Sequence, residues 1–304
     1  MKEKLTSEMI KKRARELGAS VCGIGNLDIF DGEIPGRDPK FILPKARTII
    51  GFGFAVPRGL YESMERGAAY YAYTTLGVKY LDEEFAEIFL LKIGGLIEDH
   101  GYDACLQKSV PNLRIKGDKE TNPEVVDTYE LIHAVPVDEG KPAPDVIIDF
   151  GKAATACGIG SVGYSGKILN KIYGPFMRYC FIITDAPLEV DEPETEKLCD
   201  DCRLCESACP GHAIVDGRLD SWQCSVYYKG AHKSNLFMTD DFLRGDPERE
   251  EIINGDKRFD SESARKIYPK LNFLPNTQWG YSPCLCGRKC DIACYKHLKE
   301  VGKL

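Results

Sequence analysis

Residues 199–214 read CDDCRLCESACPGHAI, so that Cys199-x2-Cys202-x2-Cys205-x3-Cys209-Pro210 falls in one short run. This is the ligand spacing of a bacterial ferredoxin-type cubane: three thiolates two residues apart wrap one corner, and the fourth, followed by proline, turns toward a second cluster. A second thiol-rich segment is therefore expected. Residues 284–294, CLCGRKCDIAC, supply Cys284, Cys286, Cys290 and Cys294, and Cys224 lies between in SWQCSVYY. A zinc ribbon needs two CxxC knuckles and has no use for the regular run. If each motif lends its last cysteine to the other cluster, Cys199, Cys202, Cys205 and Cys294 hold one 4Fe-4S cluster, and Cys209, Cys224, Cys286 and Cys290 hold the other. One tail cysteine is spare. The even spacing Cys286-x3-Cys290-x3-Cys294 favours Cys286, with Cys284 an alternative within reach.

The remaining composition agrees with an electron-handling protein. Of 13 cysteines, 9 follow residue 198, a crowding that tracks metal spacing rather than disulfides and points to a cytoplasmic protein. Cys22, Cys105, Cys157 and Cys180 are scattered among apolar or small residues and read as buried hydrophobes. No stretch approaches the ~20 apolar residues that span a bilayer, and the charged N-terminal stretch reads as a first helix, not an export signal. The net charge of −7 argues against a nucleic-acid partner, because phosphate neutralisation supplies most of such affinity.

The 304 residues allow two modest domains with real cores. Residues 1–195 read as an α/β domain. A helix is expected over 6–17, strands over 20–26, 48–56, 129–137 and 178–190, and a helix over 81–100 with Phe85, Ile88, Phe89, Lys92, Ile93 and Leu96 on one face. The second domain, 196–304, carries the cysteines and is interrupted over about 230–280 by a polar insertion expected to be a solvated surface element.

The loop ACGIGSVGYSGK (156–167) contains Gly158-x-Gly160-x-x-Gly163. A dinucleotide site would follow a strand, whereas GKAATA before it is helix-like, and Ile168 occupies the Ser/Thr place of a P-loop. Glycines this dense mean close backbone approach, either to a neighbouring element or to a flat ligand.

These motifs, in the order CGIGSVGYSGKIL, GPFMRYCFIITDAPLEVD, CDDCRLCESACPGHAI, DSWQCSVYY and a final cysteine cluster, resemble the cobalamin-dependent iron-sulfur reductases, the family of epoxyqueuosine reductase and the reductive dehalogenases. The likeness covers residues 145–225 and the tail well, and the N-terminal part only in general pattern. It implies an α+β fold: a nitroreductase-like corrinoid-binding domain followed by a two-cluster ferredoxin-like domain. It places Gly158, Gly160, Gly163 and Lys167 on the corrinoid-facing loop, and, with no Asp-x-His-x-x-Gly present, implies cobalamin without a histidine ligand. The family's catalytic aspartate, counted back from the glycine loop, falls on Pro144 with Asp145 beside it, so Asp145 is the candidate proton donor. Tyr129 is a second candidate by likeness to the dehalogenase tyrosine. The tail departs from the family's C-x2-C-x3-C-P, which predicts a distorted or unusually exposed second cluster.

The expected function is a reductase passing electrons from an external low-potential donor such as ferredoxin or flavodoxin, through two 4Fe-4S clusters, to a corrinoid that reduces a small-molecule substrate. Two alternatives stand beside it. One is an electron-transfer or corrinoid-activating protein with no substrate site of its own, and the other a tRNA epoxyqueuosine reductase.

Overall fold

The computed structural model describes residues 4–33, 36–109, 114–115, 130–131, 146–273 and 283–304. Its centre is a four-stranded antiparallel sheet built from β1 (Val21–Asn26), β2 (Thr48–Ala55), β3 (Ala104–Gln107) and β4 (Met177–Thr184), in the order β1-β2-β4-β3. Thr48 pairs with both Asn26 and Thr184, so β2 and β4 form the middle of the sheet. Both are buried almost throughout, which is why their sequences are continuously apolar. The period of two divides their side chains between two cores. Ile50, Phe52, Phe54, Cys180 and Ile182 face helices α1 (Ser7–Glu16) and, further along the chain, Ala86–Asp99. Ile49, Met177, Tyr179, Phe181 and Ile183 face the opposite layer, where helix Phe150–Ala156 packs.

The N-terminal expectations hold within a residue or two. Thr6 caps α1 by accepting from the Met9 N–H. The expected strand at 178–190 stops at Thr184, and only Glu130–Leu131 of the expected strand at 129–137 is described. The helix expected over 81–100 differs more. A short helix α3 (Tyr70–Thr74), preceded by α2 (Arg58–Glu65), runs into an eleven-residue π-helical stretch, Thr75–Phe85, before α4 (Ala86–Asp99) begins. The wider winding changes the phase, so α4 buries Ala86, Phe89, Leu90, Ile93 and Ile97 and leaves Ile88 56% exposed.

Helix α5 is Phe150–Ala156, and α6 (Leu204–Ser207) lies within the cysteine run. Helix α7 (Ser221–Tyr228) carries Cys224 and anchors the insertion. That insertion is not merely solvated. Its helices α8 (Arg249–Asn254) and α9 (Ser261–Ile267) bury Phe242, Ile252, Ile253, Phe259, Ala264 and Ile267 against Trp222, Val226 and Tyr227. The sparse apolar residues between the charges are thus a small core of their own. The tail helix α10 (Lys289–Glu300) packs back on the N-terminal half. Tyr61 and Phe176 stack with ring centroids 3.8 Å apart, and Tyr295 meets both edge-on. Among the described residues, no helix is long and apolar enough to cross a membrane.

Candidate functional site

The cysteine run is coiled rather than extended. Asp201, Arg203 and His212 adopt left-handed backbone angles near φ +50 to +60 although none is glycine, a conformation that persists only where the surroundings enforce it. Along the coil Cys205 and Cys209 are buried, Cys199 is partly buried and Cys202 is exposed. Cys199, Cys202 and Cys205 come within electrostatic reach of Cys294 on α10, and Cys199 and Cys294 share the apolar seat of Leu169, Leu198 and Leu298. Cys209 and Cys224 instead face Cys286, which also neighbours Cys290. By these interactions Cys199, Cys202, Cys205 and Cys294 neighbour one another, and Cys209, Cys224, Cys286 and Cys290 form a second set that also takes in Cys284. Cys284 is fully buried, its Sγ 3.6 Å from that of Cys286.

Backbone N–H groups already address two of the sulfurs: Tyr164 donates to Cys199 at 3.3 Å, and Ala213 to Cys209 at 3.3 Å. Such donors are among the protein's means of stabilising cluster sulfur. Burial pushes the Cys224 and Cys294 thiols up to about 12. Cys286 is raised well above the ordinary thiol range, first by its contact with Cys284 and then by burial, and Cys290 mainly by burial. Thiols this costly to ionise become thiolates when a multivalent cation supplies the missing positive charge, so the donor set fits iron-sulfur clusters. The more exposed group is the first, where Cys202 is exposed and Asp200 hydrogen-bonds His297 Nε2 at 2.8 Å. The sequence pointed to the second group instead. There Tyr70 beside Cys284 and Cys286, and the start of α10, supply cover that no local pattern announces.

The glycine loop follows helix α5, not a strand, so the dinucleotide reading fails on topology as well as on pattern. Its three fingerprint glycines are closed by protein. A Cβ on Gly158 would lie 2.4 Å from the Glu192 carbonyl oxygen, one on Gly160 2.7 Å from Ile168 Cγ2, and one on Gly163 2.8 Å from Leu169 Cδ1. Close backbone approach at these positions serves neighbouring elements. Gly166 differs, because at φ +75 its Cβ position meets nothing within 4 Å.

Gly166 and Lys167 border a cleft of about 190 Å³ with Asp82, Phe150, Met177, Arg178 and Arg288. The π-helical stretch carries Asp82 to Arg178, whose Nε donates to Asp82 Oδ1 at 2.8 Å while a second guanidinium nitrogen completes a fork. Lys167 Nζ lies 3.6 Å from Asp291 Oδ2, and Arg288 ion-pairs with the same carboxylate. Sequence reasoning missed Asp82, Arg178, Arg288 and Asp291. Only the last two carried a signal, their place between tail cysteines. Small-molecule sites usually enclose about 300–1,000 Å³, so the cleft formed by the described residues is smaller than a complete site. Asp145 and Tyr129 lie outside the described residues. A larger depression of about 660 Å³ in the insertion, between Phe242, Arg244, Lys270 and Phe273, includes none of the cysteines or loop residues above.

No protein-family profile matches the chain. Among curated proteins, epoxyqueuosine reductase of Lactococcus garvieae is 28% identical over 195 residues, covering 62% of this chain and 45% of that protein. The enzyme of the same name from Cyclobacterium marinum is 36% identical over 75 residues, 24% of each chain. That of Leadbetterella byssophila is 26% identical over 226 residues, 73% of this chain and 68% of that one. The chain thus spans less than half of the first two. A catabolic reductive dehalogenase structure superposes with a TM-score of 0.50 at 17% identity, over 87% of this chain and 34% of the other, a likeness of mixed helix-and-sheet fold. An epoxyqueuosine reductase solved with a tRNA-Tyr stem loop covers 97% of this chain and 82% of its own, with a TM-score of 0.48 and 17% identity. The expectation that nucleic acid is an unlikely partner is overturned by the curated relatives, which are named epoxyqueuosine reductases. Net charge misled because it averages over the whole surface, whereas a nucleic acid meets only a local patch. The resemblance read from the glycine loop and the cysteine run holds: the chain's curated relatives are the epoxyqueuosine reductases of the cobalamin-dependent iron-sulfur reductase family.

Proposed function

We propose that this protein is an oxidoreductase of the epoxyqueuosine reductase type, reducing an epoxide carried on tRNA with electrons relayed through two 4Fe-4S clusters. The relay is supported by the nearness of Cys294 to the cysteine run at 199–205, and of Cys209 and Cys224 to the tail cysteines Cys284, Cys286 and Cys290. Cys199, Cys202, Cys205 and Cys294 would hold the cluster nearer the surface, where an external low-potential donor reaches it, and Cys209, Cys224, Cys286 and Cys290 the one beside the cleft. The tRNA substrate rests on the relatives' names and replaces the small-molecule reading. A bound corrinoid supplies a strongly reducing cobalt centre, chemistry that side chains lack. Gly166 offers it open backbone, and Lys167, Arg178 and Arg288 offer donors at one edge. Asp145 is proposed to deliver the proton. In this reading the nitroreductase-like unit is residues 1–195 and the ferredoxin-like unit 196–304.

Anaerobic reconstitution with iron, sulfide and cobalamin tests the proposal. Expected are about eight irons per chain, from four in each cubane, a corrinoid absorption spectrum, and conversion of an epoxyqueuosine-bearing anticodon stem loop followed by mass spectrometry. Binding of that RNA should weaken steeply with salt. A protein that takes up both cofactors and leaves the stem loop unbound and unchanged at low salt would overturn the tRNA assignment.

A further inference from the structure

Three charges sit beside the second group of cysteines. Asp291, next in sequence to Cys290, has a side chain only 2% exposed and takes ion pairs from Arg288 and Lys167, themselves 16% and 28% exposed. Two cations against one carboxylate leave one positive charge uncancelled. The nearby Arg178–Asp82 pair is balanced and adds none. Arg288 Nε completes no hydrogen bond among the described residues, and Arg288 is held in a left-handed backbone conformation. A buried, strained and incompletely bonded network is costly. The fields of Lys167 and Arg288 reach Cys224 and Cys290.

A 4Fe-4S cluster with four thiolates goes from a net charge of roughly −2 to −3 when it accepts one electron, and its potential follows local charge and solvent exposure. Burial opposes that step, because it strips water from the more highly charged product. We infer that Lys167, Arg288 and Asp291 set the potential of the cluster held by Cys209, Cys224, Cys286 and Cys290, their uncancelled positive charge raising it against the cost of burial. The inference rests on the two-cluster reading above. The electron comes from the external low-potential donor, is taken up by the cluster without bond breaking, and leaves toward the cleft that Lys167 and Arg288 also line. Among the described residues the first group lacks such a device. Around it Lys197 pairs with Asp201 and His297 with Asp200, all near solvent.

The test is an EPR-monitored redox titration of the reconstituted full-length protein. Lys167→Met and Lys167→Gln should lower the potential of the second cluster by about 59 mV or more, a tenfold loss of electron affinity for a one-electron couple. The first cluster should not move. Asp291→Asn should act in the opposite sense, raising the second cluster, with a smaller rise at the first because Cys294 also feels Asp291. Lys167→Arg, which keeps the charge, should restore the wild-type value. A merely structural role would not give opposite signs for opposite charges. Shifts of the same sign in all variants, or an unmoved second cluster in Asp291→Asn, would overturn the inference. Fewer than two cluster signals in the wild-type protein would instead overturn the two-cluster reading beneath it.

Discussion

Replacing Gly158 with alanine separates the two meanings of a glycine-rich loop. Gly158 sits at φ +65, where an L-residue costs about 1–2 kcal/mol. Its new Cβ would lie 2.4 Å from the Glu192 carbonyl oxygen. That oxygen has little room to retreat, because the strap bearing it is pinned on both sides: Asp191 N–H donates to Ile24 at 2.7 Å, and Glu194 N–H to Thr155 at 2.8 Å. Overpacking of this kind typically costs about 1–3 kcal/mol. Gly158→Ala should therefore lose about 2–5 kcal/mol by the sum of these two effects. Gly166→Ala, with φ +75 and open space around its Cβ, should lose only the backbone part, about 1–2 kcal/mol. Urea unfolding of the anaerobically reconstituted proteins reads the difference as a lower midpoint at unchanged slope, while the visible spectrum reports corrinoid retention. Gly166→Ala should lose corrinoid without losing much stability, and Gly158→Ala the reverse. A stable Gly158→Ala protein that fails to hold corrinoid would refute the packing argument and return that glycine to the ligand.

Two further expectations concern the side chains around the cleft and clusters. Cys294→Ala and Cys209→Ala should each cost one cluster and about half the iron, by the four-thiolate rule, whereas Cys284→Ala should keep both; full iron in Cys294→Ala with loss in Cys284→Ala would reassign the tail. Asp82→Asn leaves the partly buried Arg178 without its carboxylate partner and should destabilise by about 1–3 kcal/mol, measurable by the same unfolding assay, while a loss near zero would mean that the guanidinium finds water or another acceptor.

What could be read without coordinates was what is local. The apolar spacing of α1, the unbroken apolar run of β2 and the thiol spacing at 199–209 each declare themselves within a dozen residues. The phase of α4 did not, because the π-helical stretch before it obeys no sequence period and its effect is a rotation of everything that follows. The insertion was misread for a related reason. Phe242, Ile252, Ile253 and Phe259 are too widely spaced among charges to form a pattern, and they become a core only when α7 supplies the opposite wall. At the cleft the important pairings join Asp82 to Arg178 and Lys167 to Asp291, and long-range charge pairing leaves no periodic trace.

The sharing of α10 between the two thiol groups bears on how this protein is made. Cys290 reaches one group and Cys294 the other, so neither has its four sulfurs until that helix has left the ribosome and docked. Chains generally acquire structure from the N-terminus during synthesis, and the central sheet needs nothing beyond Thr184. The earlier thiols therefore wait, three in each place, on a chain whose sheet is already paired. If the two sets hold clusters as proposed, iron-sulfur insertion would follow translation and would lock the docked helix by closing two long loops at once, with an entropy cost that rises only slowly with their length. A chain stalled before that docking would expose unpaired, oxidisable sulfur, making cluster delivery the step at which oxygen competes with folding.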